Sequence, residues 1–186
     1  MGINMSYFEY WKLNKAIPDN ICDLLISLGD WESGTVSTGA NEYGVVKDLR
    51  ESDITWITDN FWMSTFFGFF KSINFESFKF ELNSIEPLQL TRYKAPTNHY
   101  DFHIDGDGFN VREGAINTRK LSMSVLLNDD FEGGVFQYHT TQKPTDVHLN
   151  KGDILVFPSY YLHRVKPVTK GTRYSLVSWS LGPKIK

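Results

Sequence analysis

The stretch Tyr100-Asp101-Phe102-His103-Ile104-Asp105 sets a histidine and a carboxylate two residues apart. On a β-strand, residues i and i+2 point to the same face, with Cα atoms roughly 7 Å apart at about 3.3 Å rise per residue. An imidazole and a carboxylate at that spacing can close on one cation. His-x-Asp is a common pair by chance, so its meaning depends on the segments around it.

Those segments carry strand period. Leu88 to Tyr93 alternates, with Gln89, Thr91 and Tyr93 on one face and Leu88 and Leu90 on the other. A polar face ending in tyrosine suits a strand that lines a pocket. Lys120 to Asn128 alternates too, with Leu121, Met123, Val125 and Leu127 on one face and Ser122, Ser124, Leu126 and Asn128 on the other. Further strands are predicted at Phe78 to Leu82, Val135 to Tyr138, Asp146 to Leu149, Asp153 to Phe157, Leu162 to Lys166 and Thr172 to Leu181, with Asn and Gly turns between them. Gly106 to Thr118 reads as a loop long enough to carry a function, either solvated or a lid over a substrate, with Arg112, Arg119 and Lys120 in it or beside it.

Before residue 78 the period is helical. Ile21, Leu24, Leu25 and Leu28 follow i, i+3, i+4, i+7 after Pro18 and before Gly29, which predicts a helix over Pro18 to Leu28. A second, aromatic helix is expected over about Ile54 to Ile73, capped by Ser52 or Asp53. Between the helices, a short strand near Thr35 to Ser37 leads into a loop around Gly39, Asn41 and Gly44. Two helices followed by about eight short strands predict a mainly β fold of the jelly-roll or sandwich kind, with the helices packed outside.

The totals narrow the function. One domain is the default at 186 residues. A net charge of −3 disfavours nucleic acid as a partner. The single cysteine, Cys22, excludes an internal disulfide and a thiolate zinc site; its setting between Ile21 and Leu24 reads as a buried apolar position, and cytoplasmic residence is expected. No apolar run is long enough to span a membrane, and Met1 to Lys15 has no signal-peptide core. Met1 to Ser6 fits the loose myristoylation pattern; the other reading makes it a scar before a natural start at Met5.

Two downstream residues give the His-x-Asp pair its chemistry. His163 adds a second imidazole, and two His with one Asp is the ligand set that suits non-haem Fe(II) with open positions. Arg173, ten residues further on, shares a strand face with Ser175, Val177 and Trp179. If that face is interior, the guanidinium needs an internal carboxylate or an anionic ligand. A 2-oxoglutarate molecule would serve: its keto-acid end chelates the iron and its far carboxylate reaches Arg173, which can hold it bidentately. Ser175 could add a hydroxyl, and Tyr93 is either a pocket wall or a further donor.

The chain resembles the Fe(II)- and 2-oxoglutarate-dependent oxygenases, specifically the prolyl-4-hydroxylase-like group. The resemblance lies in Tyr93, His103-Ile104-Asp105, Leu121 to Asn128, Glu132-Gly133-Gly134, Gly152 to Pro158, His163-Arg164-Val165 and Gly171 to Tyr174. These occur in the family's order over roughly residues 85–182, with the Ile17 to Leu28 helix resembling the family's opening segment. The resemblance implies a double-stranded β-helix (jelly roll) core at 85–182, with 1–84 as helical and strand support. It implies Fe(II), 2-oxoglutarate, O2 and ascorbate, with His103, Asp105 and His163 as ligands and Arg173 as the co-substrate anchor. Some relatives carry a tyrosine near the position of Leu126 that helps bind the distal carboxylate. Leucine cannot, which leaves that task to Ser122 or Ser124.

The expected activity is hydroxylation of an unactivated C–H in a peptide or protein, a peptidyl proline, with release of succinate and CO2. Two alternatives stand beside it: the same chemistry on a free amino acid or small metabolite, and a non-catalytic cupin-like module that binds a metal or ligand.

Overall fold

Strand alternation and sheet pairing agree over most of the chain, whose residues 10–39, 42–107, 116–140 and 143–184 are described by a computed structural model. The first half runs β1 (Trp11–Leu13), α1 (Asp19–Ser27), β2 (Glu32–Ser33), β3 (Val36–Gly39), β4 (Glu42–Gly44), β5 (Arg50–Glu51), β6 (Asp53–Ile57), α2 (Asn60–Glu76) and β7 (Ser84–Ile85). It continues with β8 (Leu88–Lys94), β9 (His99–His103), β10 (Asn117–Leu126), β11 (Glu132–Gly133), β12 (Phe136–His139) and β13 (Thr145–Val147). The chain closes with β14 (Ile154–Pro158), β15 (Leu162–Val165), β16 (Val168–Lys170) and β17 (Thr172–Pro183).

The main sheet has eight strands in the order β1-β14-β10-β17-β8-β6-β2, with β7 also paired to β17. A five-stranded sheet runs β13-β12-β15-β9-β5. Both sheets draw strands from either side of residue 84. One face of the main sheet packs on the helices: Leu88, Leu90, Leu121, Met123, Val125, Ile154, Val156 and Leu176 join Cys22, Leu25, Phe66, Phe70 and Ile73 in the larger core. Burial at about 25 cal/mol per Å² is what holds the helices there. The other face meets the five-stranded sheet, where Tyr93, Leu155 and Phe157 pack with Phe136, Tyr138, Val147 and Val165. The site therefore forms between the sheets, on the side away from the helices. Among the described residues no helix is long and apolar enough to cross a membrane.

Three sequence expectations are corrected. Ile54 to Ile57 is strand, and α2 begins only at Asn60. The β-branched Ile54, Thr55 and Ile57 pair with β8, from Asp53 opposite Arg92 to Ile57 opposite Leu88. Asp53 is held by Arg92 Nε at 2.8 Å and Lys94 Nζ at 2.9 Å rather than capping a helix. The cap is Asp59, whose carboxylate accepts from the Phe61 and Trp62 amides.

Phe78 to Leu82 does not pair as a strand. Lys79 takes a left-handed φ of 59°, and the Asn74 side chain both donates to the Phe80 carbonyl and accepts from its amide, each at 2.8 Å. Phe78 and Phe80 still share a face, stacked at an interplanar angle of 11°. The segment read as a loop around Gly39 to Gly44 contains the β3–β4 hairpin. Most of the candidate lid, residues 108–115 with Arg112, and the N-terminal Gly2 lie outside the described residues.

Candidate metal centre

His103 ends β9, Asp105 follows in the turn, and His163 lies on β15. The register of the five-stranded sheet places His163 directly opposite His103, so that the two rings are 4.2 Å apart between centroids. Asp105 completes the group: its Oδ1 is 3.6 Å from His103 Nε2 and its Oδ2 is 3.4 Å from His163 Nε2. The three ligand atoms lie within 4.8 Å of one another. The amides of Asp105 and Gly106 both donate to the Ser159 carbonyl, which fixes the turn.

Each imidazole is held in one tautomer. His103 Nδ1 is 2.7 Å from the Asp101 carbonyl oxygen, and His163 Nδ1 is 2.8 Å from that of Tyr161. A carbonyl only accepts, so both Nδ1 atoms carry the proton and both Nε2 atoms turn a lone pair toward Asp105. Two lone pairs and a carboxylate facing one point repel one another unless a cation lies between them. This donor set, nitrogen and oxygen with no thiolate, fits a divalent ion of the Fe(II) kind.

Burial first, and the neighbouring His163 next, push the His103 pKa well below the ordinary imidazole range. Burial would raise Asp105, but the charge that His163 and His103 carry when protonated, together with Arg119 and the Ser122 hydroxyl, outweighs it and holds the carboxyl below its usual range. Both groups are thus in the ligating form near neutral pH.

Ser122 is placed differently from its expected role at the co-substrate. Its hydroxyl donates to Asp105 Oδ2 at 2.7 Å and lies 3.0 Å from Ser159 Oγ, so it braces the carboxylate. Ser124 lines the cavity.

Arg173 is 2% exposed, opposite Tyr93 in the β8–β17 pairing. Its Nη1 donates to Ser175 Oγ at 2.9 Å, its Nε has no partner, and no carboxylate among the described residues pairs with it. Its Cζ lies 5.7 Å from the Tyr93 ring centroid. Gly134 makes room for it: a Cβ there would come within 2.8 Å of Arg173 Cδ, at a φ of +59°. A buried guanidinium without a counter-charge is costly, and a dicarboxylate would satisfy it.

The cavity around the three ligands measures about 430 Å³, with Tyr93, Tyr100, Trp56 and Trp179 among its walls. Arg173 lines a smaller adjoining cavity of about 120 Å³, and Phe136 borders both. Arg173 itself does not line the larger cavity, whereas Phe136 and Tyr93, whose ring centroid is 5.7 Å from Arg173 Cζ, do. Tyr93 is buried, which raises its phenol pKa and keeps it a neutral donor. The Thr91 hydroxyl, also in the wall, has no partner.

Several residues of the site were not assigned to it from the sequence, Arg119 having been noted only beside the loop. Tyr100 stacks on His103 at 3.5 Å and 11°. Arg119 grips Glu86 through Nε and Nη2 and lies 3.8 Å over the Trp179 ring. Arg50 enters the same cavity from β5. The spacing of Tyr100 from His103 would have misled: three residues apart on a regular strand they face opposite ways, and it is the register shift in the β9–β15 pairing that brings the two rings together.

Residues 88–181, half of the chain, match the model of one protein family, described as the 2OG-Fe(II) oxygenase superfamily. The chain belongs to that superfamily. Among its relatives is a PKHD-type hydroxylase of Stenotrophomonas maltophilia, 35% identical over 95 residues. That match spans 50% of this chain but only 42% of the relative. The fold is that of a Pseudomonas putida prolyl-4-hydroxylase, with a TM-score of 0.70 at 18% identity, covering 98% of this chain and 96% of that one. A Trichoplax adhaerens prolyl hydroxylase, solved with a peptide fragment of hypoxia inducible factor, gives a TM-score of 0.72 at 18% identity, covering 92% of this chain and 83% of that one. These likenesses extend over both sheets, so the chain has the double-stranded β-helix that the resemblance implies.

Proposed function

We propose that this oxygenase is a 2-oxoglutarate-dependent hydroxylase acting on a peptidyl proline. The observation that carries the reading is the convergence of three ligand atoms within 4.8 Å beside a cavity holding a buried, unpaired guanidinium. His103, Asp105 and His163 would hold Fe(II) on one side and leave its other positions to ligands. Arg173, steadied by Ser175, would take the far carboxylate of 2-oxoglutarate, and Tyr93 would donate to the co-substrate. Fe(II) bound with 2-oxoglutarate and O2 supplies the oxidation, placing one oxygen atom in succinate as CO2 leaves and the other in a substrate C–H bond.

Ser122 and Ser159 keep Asp105 aimed at the metal. Trp56, Trp179 and Tyr100 make an aromatic wall that suits a proline ring. The peptide substrate is supported by the Trichoplax adhaerens prolyl hydroxylase, solved with a peptide fragment, and hydroxylation by the PKHD-type hydroxylase name of the Stenotrophomonas relative. We read the chain as one domain, with the ligands in 85–182 and 1–84 as support, with ascorbate as auxiliary reductant. A lone buried cysteine supports a reducing, cytoplasmic setting.

The test is aerobic incubation with Fe(II), 2-oxoglutarate and ascorbate, followed by succinate measurement and mass analysis of a proline-containing peptide panel. Succinate together with a peptide that gains one oxygen atom is the expected result. Succinate without peptide oxidation would move the reading to a free amino acid or small metabolite. No succinate under any condition would leave a cupin-like binding module.

A further inference from the structure

Arg50 is a second buried guanidinium of this cavity, 5% exposed and borne on a strand far in sequence from the metal ligands. Its partners among the described residues are all neutral. Nε donates to Ser52 Oγ at 2.8 Å, Nη1 to the Thr35 carbonyl at 3.2 Å, and Nη2 to Gln89 Oε1 at 3.0 Å. A guanidinium carries five N–H groups, so these bonds do not exhaust it. No carboxylate among the described residues pairs with it. Arg119, in the same cavity, has Glu86.

The position is close to the chemistry. Arg50 Cζ lies 4.7 Å from the Tyr100 ring centroid, and that ring stacks on His103 with centroids 3.5 Å apart. The guanidinium is therefore no further from the His103 ring than those two distances laid end to end. Charge points the same way. With a divalent metal and doubly negative 2-oxoglutarate in place, Asp105 and Arg173 bring the centre to neutrality. Arg119 and Glu86 cancel, and the charge of Arg50 is left over in a desolvated wall.

We propose that Arg50 binds a carboxylate of the substrate, so that the enzyme selects an acidic peptide. The inference rests on the oxygenase reading and adds the substrate's charge to it. An extended chain advances roughly 3.3–3.6 Å per residue, so the carboxylate belongs to the oxidised residue or a near neighbour. It is either an Asp or Glu side chain or a C-terminal α-carboxylate.

The experiment uses the full chain loaded with Zn(II), which supports binding without turnover. Calorimetry first measures 2-oxoglutarate, then four proline peptides of equal length: neutral with blocked ends, Glu beside the proline with blocked ends, neutral with a free carboxylate on a terminal proline, and Lys beside the proline with blocked ends. One of the two carboxylate peptides should bind roughly tenfold or more tightly than the neutral one, the scale of a charged hydrogen bond, and which one identifies the source. Arg50→Gln should erase the preference. Ser52→Asp, which offers the guanidinium an internal carboxylate without removing it, should erase it too, and serves where Arg50→Gln fails to fold. Equal binding of neutral and carboxylate peptides, no binding of either carboxylate peptide, a preference for Lys, or a preference that survives Ser52→Asp overturns the assignment. Absent 2-oxoglutarate binding would instead defeat the oxygenase reading itself.

Discussion

Asp105 and Asp153 are both buried carboxylates, with side chains 7% and 0% exposed, and their surroundings are opposites. Asp153 is met by donors: the Lys15 and Asn150 amides, each at 2.8 Å, and Lys12 Nζ at 3.0 Å. They tie the β1–α1 connection to the turn before β14. Asp105 has one hydroxyl donor, Ser122, and is otherwise faced by the lone pairs of two imidazoles. A carboxylate saturated with N–H groups holds a fold together. One set against other lone pairs holds a cation. Burial does not distinguish them; the protons on the neighbours do.

The sharpest way to break this contrast is to remove each carboxylate in turn. Asp105→Ala should abolish succinate formation while the metal-free protein keeps its unfolding midpoint in urea. Asp153→Asn should cost about 1.5–3 kcal/mol of stability, the worth of hydrogen bonds to a buried charge, while folded protein still binds Mn(II). If the two variants behaved alike, the distinction would be lost.

Next in size is Arg173→Gln. Losing a charged hydrogen bond should raise the apparent KM for 2-oxoglutarate roughly ten- to hundredfold, with metal affinity, read by Mn(II) titration, unaffected. A smaller effect is expected at Ser122→Ala, which removes the one hydroxyl bracing Asp105. Metal affinity should fall roughly tenfold, as for other groups that orient a ligand from behind. An unchanged affinity would return Ser122 to the co-substrate role.

The smallest effect is on pH. The folded pKa of His103 lies below that of the unfolded chain, so as pH falls the unfolded state takes up that proton first. The stability involved is complete above about pH 6.5 and is lost toward the lower folded value, at no more than about 1.4 kcal/mol per pH unit. The urea midpoint of the metal-free protein should decline on acidification from about pH 7, and His103→Asn should flatten the decline.

Where local period is unmistakable, the fold was legible. The alternation of Leu88 to Tyr93 announced both an apolar face and a pocket face, and Gln89 and Tyr93 do line the cavity. The start of α2 was not legible, because Ile54, Trp56, Ile57, Phe61 and Trp62 form an apolar run that short-range period cannot divide between strand and helix. Phe78 to Leu82 misled in the other direction: its alternation is real, but its backbone bonds to a side chain. Arg50 and Glu86 gave no sign, since a lone charged residue in a polar stretch looks solvated until its surroundings are known.

The sequence by itself determined the inventory: which groups can ligate, which can hold an anion, and which faces of the strands are apolar. Those properties belong to single residues and to their nearest neighbours along the chain. The tertiary structure decided who meets whom. Sheet register sets His163 opposite His103, Ser122 reaches Asp105 from another sheet, and Arg119 finds a carboxylate where Arg50 finds none among the described residues. Register follows from the packing of whole sheets, and one residue of slip would turn every one of these side chains to the other face.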